Sequence, residues 1–324
     1  MAIKFSNYEF FGGDFDNEVT NYKRYAERRT GFENLDLEQI FMPGLYALGG
    51  LPGAGKTTFA LQLLCQLAAQ GEHCYYLSFE MAECMLWAKV LSRVIFLSRL
   101  ENDGEDDAMQ SNLTATNLLR GRVKYSDKQE VYDVKRKLSE EKAQLEIAQV
   151  NLNPKRLLRE LRELPTKEGA VVVLDYLQML AHDKDKTRGA IDETIFSFRE
   201  YQRETKSTLI ILSSFNRESY RQAASMASFK ETGGIEYTAD VCWALQAYGV
   251  GDEGKFDSEV ASDESRKPKR HIQLSCLKNR FGRQYTCDFD YYAAFDCFCP
   301  QKNSEEREEE NHSDAPKCKH RKHS

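Results

Sequence analysis

Gly50-Leu51-Pro52-Gly53-Ala54-Gly55-Lys56-Thr57-Thr58 contains a complete Gly-x-x-x-x-Gly-Lys-Thr phosphate-binding loop, the Walker A pattern. Its glycines let consecutive backbone N–H groups, from Gly50 through Gly53, Ala54 and Gly55 to Thr58, turn inward around a triphosphate. The N-terminus of the following helix adds a partial positive charge. Lys56 is placed to reach the β and γ phosphates, and the Thr57 hydroxyl to hold Mg²⁺. The apolar run Gly44-Leu45-Tyr46-Ala47-Leu48 predicts a buried strand before the loop, and Thr57 to Leu64 predicts a helix packed on it. ATP with Mg²⁺ is the ligand this arrangement fits.

The same alternation continues outward. A strand over 73–79 ends in Glu80, a carboxylate placed to activate an attacking water as general base. Ala170-Val171-Val172-Val173-Leu174 ends in Asp175, the Walker B arrangement, in which a buried strand delivers a carboxylate to the Mg²⁺ shell. Thr208-Leu209-Ile210-Ile211-Leu212 ends in Ser213-Ser214. Helices are predicted over 56–70, closed by Gly71, and over 83–97, 154–163 and 192–205. This periodicity predicts an α/β P-loop NTPase with a mostly parallel central sheet flanked by helices. Further strands are predicted near 240–248 and 271–278, joined by a polar segment, 251–270, read as a mobile hairpin tip.

The 324 residues, 41% of them hydrophobic, suffice for a full core. A net charge of -6 gives no global argument for nucleic-acid binding, so such a role must rest on a local patch or an assembled channel. Nine scattered cysteines without a Cys-x-x-Cys pair point to reduced thiols and a cytoplasmic setting. No segment has the character of an export signal or a membrane span. The organisation predicted is an N-terminal arm over 1–30 with a short charged, solvated helix, and a catalytic domain over 31–299. That domain carries a charged helical excursion at about 99–144, with an acidic loop at 101–107 and a surface helix at 128–144. A disordered charged tail follows over 300–324. The tail elements Cys297, Cys299, His312, Cys318, His320 and His323 match no standard zinc spacing.

Five further stretches carry a resemblance. Phe79-Glu80-Met81, Asp175-Tyr176-Leu177-Gln178, Leu212 to Arg217, Phe229 to Glu236 with Ala239-Asp240, and Leu277-Lys278-Asn279-Arg280-Phe281-Gly282 resemble the successive motifs of DnaB-type replicative helicases. Thr30 to Asp36 also resembles the segment that enters their RecA-like motor domain, so the likeness covers roughly residues 30 to 298. It implies an ATP-hydrolysing DNA helicase working as a homo-oligomeric, hexameric ring on single-stranded DNA with 5′ to 3′ polarity. It also implies that Lys278 and Arg280 act in trans on the γ-phosphate of a neighbouring subunit, and that Lys230, Glu231, Gly233 and Gly234 touch the DNA backbone. Gln178 and Ser214 join the nucleotide-binding set.

Ser214 stands where the family usually carries Gln, so a short hydroxyl replaces an amide that senses the γ-phosphate. The residues before Thr30 are too few for the family's N-terminal helical collar, so primase engagement is not carried over. Ring stability then depends on the 17–29 helix docking on a neighbour, and a loader is an open partner. Two alternatives come from other classes: a recombination or repair ATPase of the RecA/RadA kind, and a non-unwinding regulator or loader switched by ATP.

Overall fold

The computed structural model describes residues 14–140, 144–164, 166–175, 188–216, 219, 221–249 and 255–301. Nine strands form one sheet in the order β3-β2-β4-β5-β1-β6-β7-β8-β9. Here β1 is Leu45–Gly50, β2 Cys74–Ser78, β3 Leu145–Gln149, β4 Val171–Asp175, β5 Thr208–Ser214 and β6 Val241–Ala247. These six run parallel. The sheet continues antiparallel through β7 (Lys269–Asn279), β8 (Thr286–Tyr292) and β9 (Cys297–Pro300).

Side chains of the central strands alternate between two apolar layers. Tyr46, Leu48, Val171 and Val173 face one core, while Leu45, Ala47, Val172 and Leu174 face the other. Burial on both faces is why β1, β4 and β5 read as unbroken apolar runs. The first layer is covered by α3 (Lys56–Ala69) and α4 (Glu83–Asn102), and the second by α8 (Pro154–Glu163) and α9 (Arg188–Thr205). As predicted, Asn153 caps α8, its side chain accepting from Arg156 N at 2.9 Å, with Pro154 in the first turn.

Several expectations need correction. Helix α4 continues to Asn102 because Phe96, Leu97 and Leu100 pack on Tyr292, Phe295 and Cys297. The acidic 101–107 stretch is therefore helix end and the start of α5 (Glu105–Met109). The excursion continues through α6 (Ala115–Leu119) and α7 (Lys128–Glu140), and then returns to the sheet as the edge strand β3. The hairpin tip contains α11 (Ser258–Glu264), capped by Asp257, whose side chain accepts from Glu259 N.

The arm is not simply solvated. It forms α1 (Asp14–Ala26), after which buried Arg28 bonds Thr208 Oγ1 at 3.0 Å, Gly169 O at 3.0 Å and Glu72 Oε2 at 2.5 Å. A short α2 (Glu33–Glu38) then leads to β1, with Phe32 stacked on Phe59 at 4.9 Å. Residues 302–324, including the tail histidines, lie outside the described residues.

Candidate functional site

The phosphate loop leaves β1 at its C-terminal end. Gly50 packs so closely on β6 that a Cβ there would lie 2.7 Å from Leu245 O. Gly55, at φ 93°, is the N-cap of α3 and turns the chain into the helix in a conformation that disfavours other residues. Lys56 Nζ donates to the loop carbonyls of Gly50 (2.9 Å) and Leu51 (3.1 Å). Burial lowers its pKa to about 8, opposed by the carboxylates of Asp175 and Glu80. The helix is fixed from an unexpected direction: Gln62 exchanges two hydrogen bonds with the backbone of Phe298 on β9, at 2.8 and 2.9 Å.

Asp175 ends β4, which is separated from β1 by β5. Even so, the Thr57 hydroxyl donates to Asp175 Oδ2 at 2.8 Å, and the Tyr76 hydroxyl donates to the same oxygen at 2.6 Å. Burial raises the Asp175 pKa; the two hydroxyl bonds, with Lys56 and Lys89, oppose it. Two hard oxygen donors in contact at a helix N-terminus fit Mg²⁺ carried by a triphosphate. Glu80 follows the neighbouring strand β2, where Ser78 pairs with Asp175 and Phe79 N donates to Asp175 O at 2.8 Å. It is exposed, and its charge reaches Lys56. Ser214 closes β5 in register with Gly50. Four strand ends therefore converge on the loop; Gln178 lies outside the described residues.

Thr58 turns the other way. Its hydroxyl bonds Asp296 Oδ1 at 3.0 Å, and the same oxygen pairs with Lys89. Sequence reasoning missed Tyr76, Lys89 and Asp296. For Tyr76 a signal existed, since alternation along β2 puts it on the α3 face of the strand beside Asp175.

Lys278 and Arg280 lie at the opposite end of the sheet. Antiparallel pairing sets Asn279 beside Val241, the first residue of β6, and Arg280 N bonds Asp240 O at 2.9 Å. The length of β1, about 17 Å at 3.3 Å per residue, separates them from the loop of their own chain. Lys278 Nζ donates to Glu236 O at 2.8 Å, and Arg280 Nη2 to Tyr237 O at 3.2 Å. Burial, then the neighbouring Arg280, pulls the Lys278 pKa below the ordinary lysine value.

Lys230 and Glu231 fall in a 3₁₀ segment, Met226–Thr232, that runs into α10, Gly233–Thr238. The Gly-Gly pair is thus the start of a helix rather than an open turn. A Cβ at Gly234 would meet Asp192 Oδ1 at 2.7 Å, so glycine lets α10 approach α9.

The model of the DnaB-like helicase C terminal domain matches residues 28–299. The chain belongs to this family. The helicase expectation thereby prevails over the recombinase alternative, and the domain is an ATP-hydrolysing DNA helicase with a role in replication. Among solved structures, the DnaB-like domain is similar to an isolated ATPase domain, at TM-score 0.72 and 16% identity, covering 92% of this chain and 100% of that one. It is also similar to a DnaB-like replicative helicase solved with a view to its interactions with primase, at TM-score 0.70 and 17% identity. That likeness covers 93% of this chain and 68% of the other. No curated protein matches the chain. Among the described residues, no helix is long and apolar enough to cross a membrane, no His, Cys, Asp or Glu cluster suits a metal ion, and the cysteines are free.

Proposed function

We propose that this DnaB-like domain is the motor of a cytoplasmic hexameric ring that moves 5′ to 3′ along single-stranded DNA during replication, hydrolysing MgATP between subunits. Lys56, the loop N–H groups from Gly50 to Thr58 and Thr57 hold the triphosphate, with Thr57 and Asp175 supplying oxygens to Mg²⁺. The ion's contribution is to neutralise charge on the β and γ phosphates. Glu80 takes a proton from the attacking water as its oxygen bonds to the γ-phosphorus and ADP departs. Lys278 and Arg280 of an adjoining subunit neutralise charge developing on the transferred phosphoryl group. Ser214 stands beside the loop at the end of β5, and Gln178 completes the nucleotide-binding set. Lys230, Glu231, Gly233 and Gly234 contact the DNA backbone without sequence preference, a modest contribution that the ring repeats in every subunit.

One observation carries this reading: the two cations stand a full strand length from their own phosphate loop, so they complete a site only on another chain. The exposed stripe Phe15, Val19 and Tyr22 on α1, spaced i, i+4, i+7, offers an apolar contact for the adjoining subunit. The deciding experiment is strand displacement on a forked duplex with ATP. Displacement that requires a 5′ single-stranded arm supports the motor. DNA-stimulated ATP hydrolysis without displacement favours the ATP-switched regulator.

A further inference from the structure

Asp240, which precedes β6, is the most heavily used carboxylate at the Lys278/Arg280 end of the sheet. Its side chain is 5% exposed and accepts from four donors: Leu45 N at 2.9 Å, Arg199 Nη2 at 2.9 Å, Arg199 Nη1 in a closer contact, and Arg280 Nη1 at 3.1 Å. The two arginines differ. Arg199 comes from α9, is 12% exposed and grips the carboxylate with both fork nitrogens, an arrangement with little freedom. Arg280 is 47% exposed and uses one nitrogen on Asp240 and another on Tyr237 O. A guanidinium has five N–H donors in a rigid plane, so these bonds fix its orientation and leave others for an anion. Lys278 stands beside it on the adjoining carbonyls of α10, and like charges there favour separation of the two heads.

We propose that Asp240, anchored by Arg199, is a positioning residue for Arg280: it aims the guanidinium out of the sheet edge and offsets its repulsion from Lys278, so that the cation meets a neighbouring triphosphate already oriented. The carboxylate reaches the reaction only through Arg280. This rests on the reading of Arg280 as a cation acting in trans. Because Arg199 and Leu45 N–H keep Asp240 satisfied, the bond to Arg280 can lengthen as the phosphoryl group develops charge without leaving a buried carboxylate alone. A side chain that must instead find its place from many rotamers pays for that freedom at the transition state, where a displacement of about 1 Å can cost as much as a hundredfold.

The test is a double-mutant cycle on the full chain, reading steady-state ATP hydrolysis with DNA present. Asp240→Asn keeps the shape and an oxygen for Leu45 N–H. It is expected to lower kcat about tenfold with KM unchanged, and to cause no further loss once Arg280→Ala is present. Asp240→Glu should restore part of the rate. An unchanged kcat, a rise in KM alone, or losses that simply add with Arg280→Ala overturn the proposal. If Asp240→Asn does not fold, Arg199→Lys, which keeps the charge but loses the double grip, enters the same cycle with the same outcomes. Mixing Arg280→Ala with Lys56→Ala protein separates the two levels. Absence of rescue removes the trans reading itself, whereas rescue together with full kcat in Asp240→Asn removes only the positioning role.

Discussion

The Thr57 hydroxyl meets Asp175 Oδ2 at 2.8 Å although their strands, β1 and β4, are not neighbours. The contact spans the intervening β5 because the phosphate loop arches over the sheet edge before α3 begins. Asp175→Asn leaves the shape of this pair while removing its charge. Nucleotide affinity measured with Mg²⁺ should fall about tenfold or more, while affinity measured in chelator should change little. An equal loss in both conditions would assign Asp175 to the fold rather than to the ion.

Glu80 is exposed at the exit of β2, free of the burial that holds Asp175 in place. Glu80→Gln should therefore bind ATP normally and unfold at the same denaturant concentration, while kcat falls at least ~100-fold. Unchanged turnover would remove Glu80 from its role.

Arg280→Ala should lose hydrolysis because its partner is on another chain. Mixed with Lys56→Ala, which has an intact Arg280 but a disabled loop, it should regain part of its activity at the hybrid interfaces. The measurement is ATP turnover across mixing ratios under conditions where subunits exchange.

Lys56 gives a pH signature. Burial lowers its pKa to about 8, whereas the unfolded side chain keeps its proton up to 10.5. Between those values the unfolded state binds more protons, so stability of the nucleotide-free protein should rise as pH climbs from about 8 to 10.5. Phosphate favours the ammonium form. Binding above pH 8 should then take up a proton, and affinity should fall by up to about tenfold per pH unit. Nucleotide titrations from about pH 7 to about pH 9.5 test this, and Lys56→Arg should flatten the slope because a guanidinium stays charged.

Arg28→Ala tests the arm. Its side chain, 1% exposed, holds Thr208, Gly169 and Glu72 together at the N-terminal edge of β5, and its loss should cost about 3 kcal/mol in urea unfolding. A cost near zero would mean that the arm is dispensable to the domain.

The parallel half of the sheet was legible because burial on both faces leaves nothing but apolar residues in Val171–Leu174 or Leu209–Leu212, and because each such run stops at a functional side chain. The rest obeys weaker patterns. Strand β3 is half-exposed at an edge, with Glu146 near its start, and reads as part of a charged surface. In β8, Cys287, Phe289 and Tyr291 are buried in alternation with Asp288 and Asp290; the period of two was present but masked by the acidic residues. Strand β9 is four residues long, below the length at which periodicity speaks. At the site, the loop, Asp175 and Glu80 follow from spacing. The Asp240–Arg199 pair joins residues 41 positions apart, and nothing local in either segment announces it.

The nine-stranded sheet has a mechanical side. Its C-terminal edge holds a phosphate loop, and its opposite edge presents Lys278 and Arg280 about 17 Å away. In the proposed ring each sheet is therefore a stiff lever with a foot in two active sites. A tilt that presses the cations into one neighbour's nucleotide must also lift or lower the loop facing the other neighbour. Sequential firing around the circle then needs no separate messenger, because the rigid body that closes one interface is the same one that opens the next.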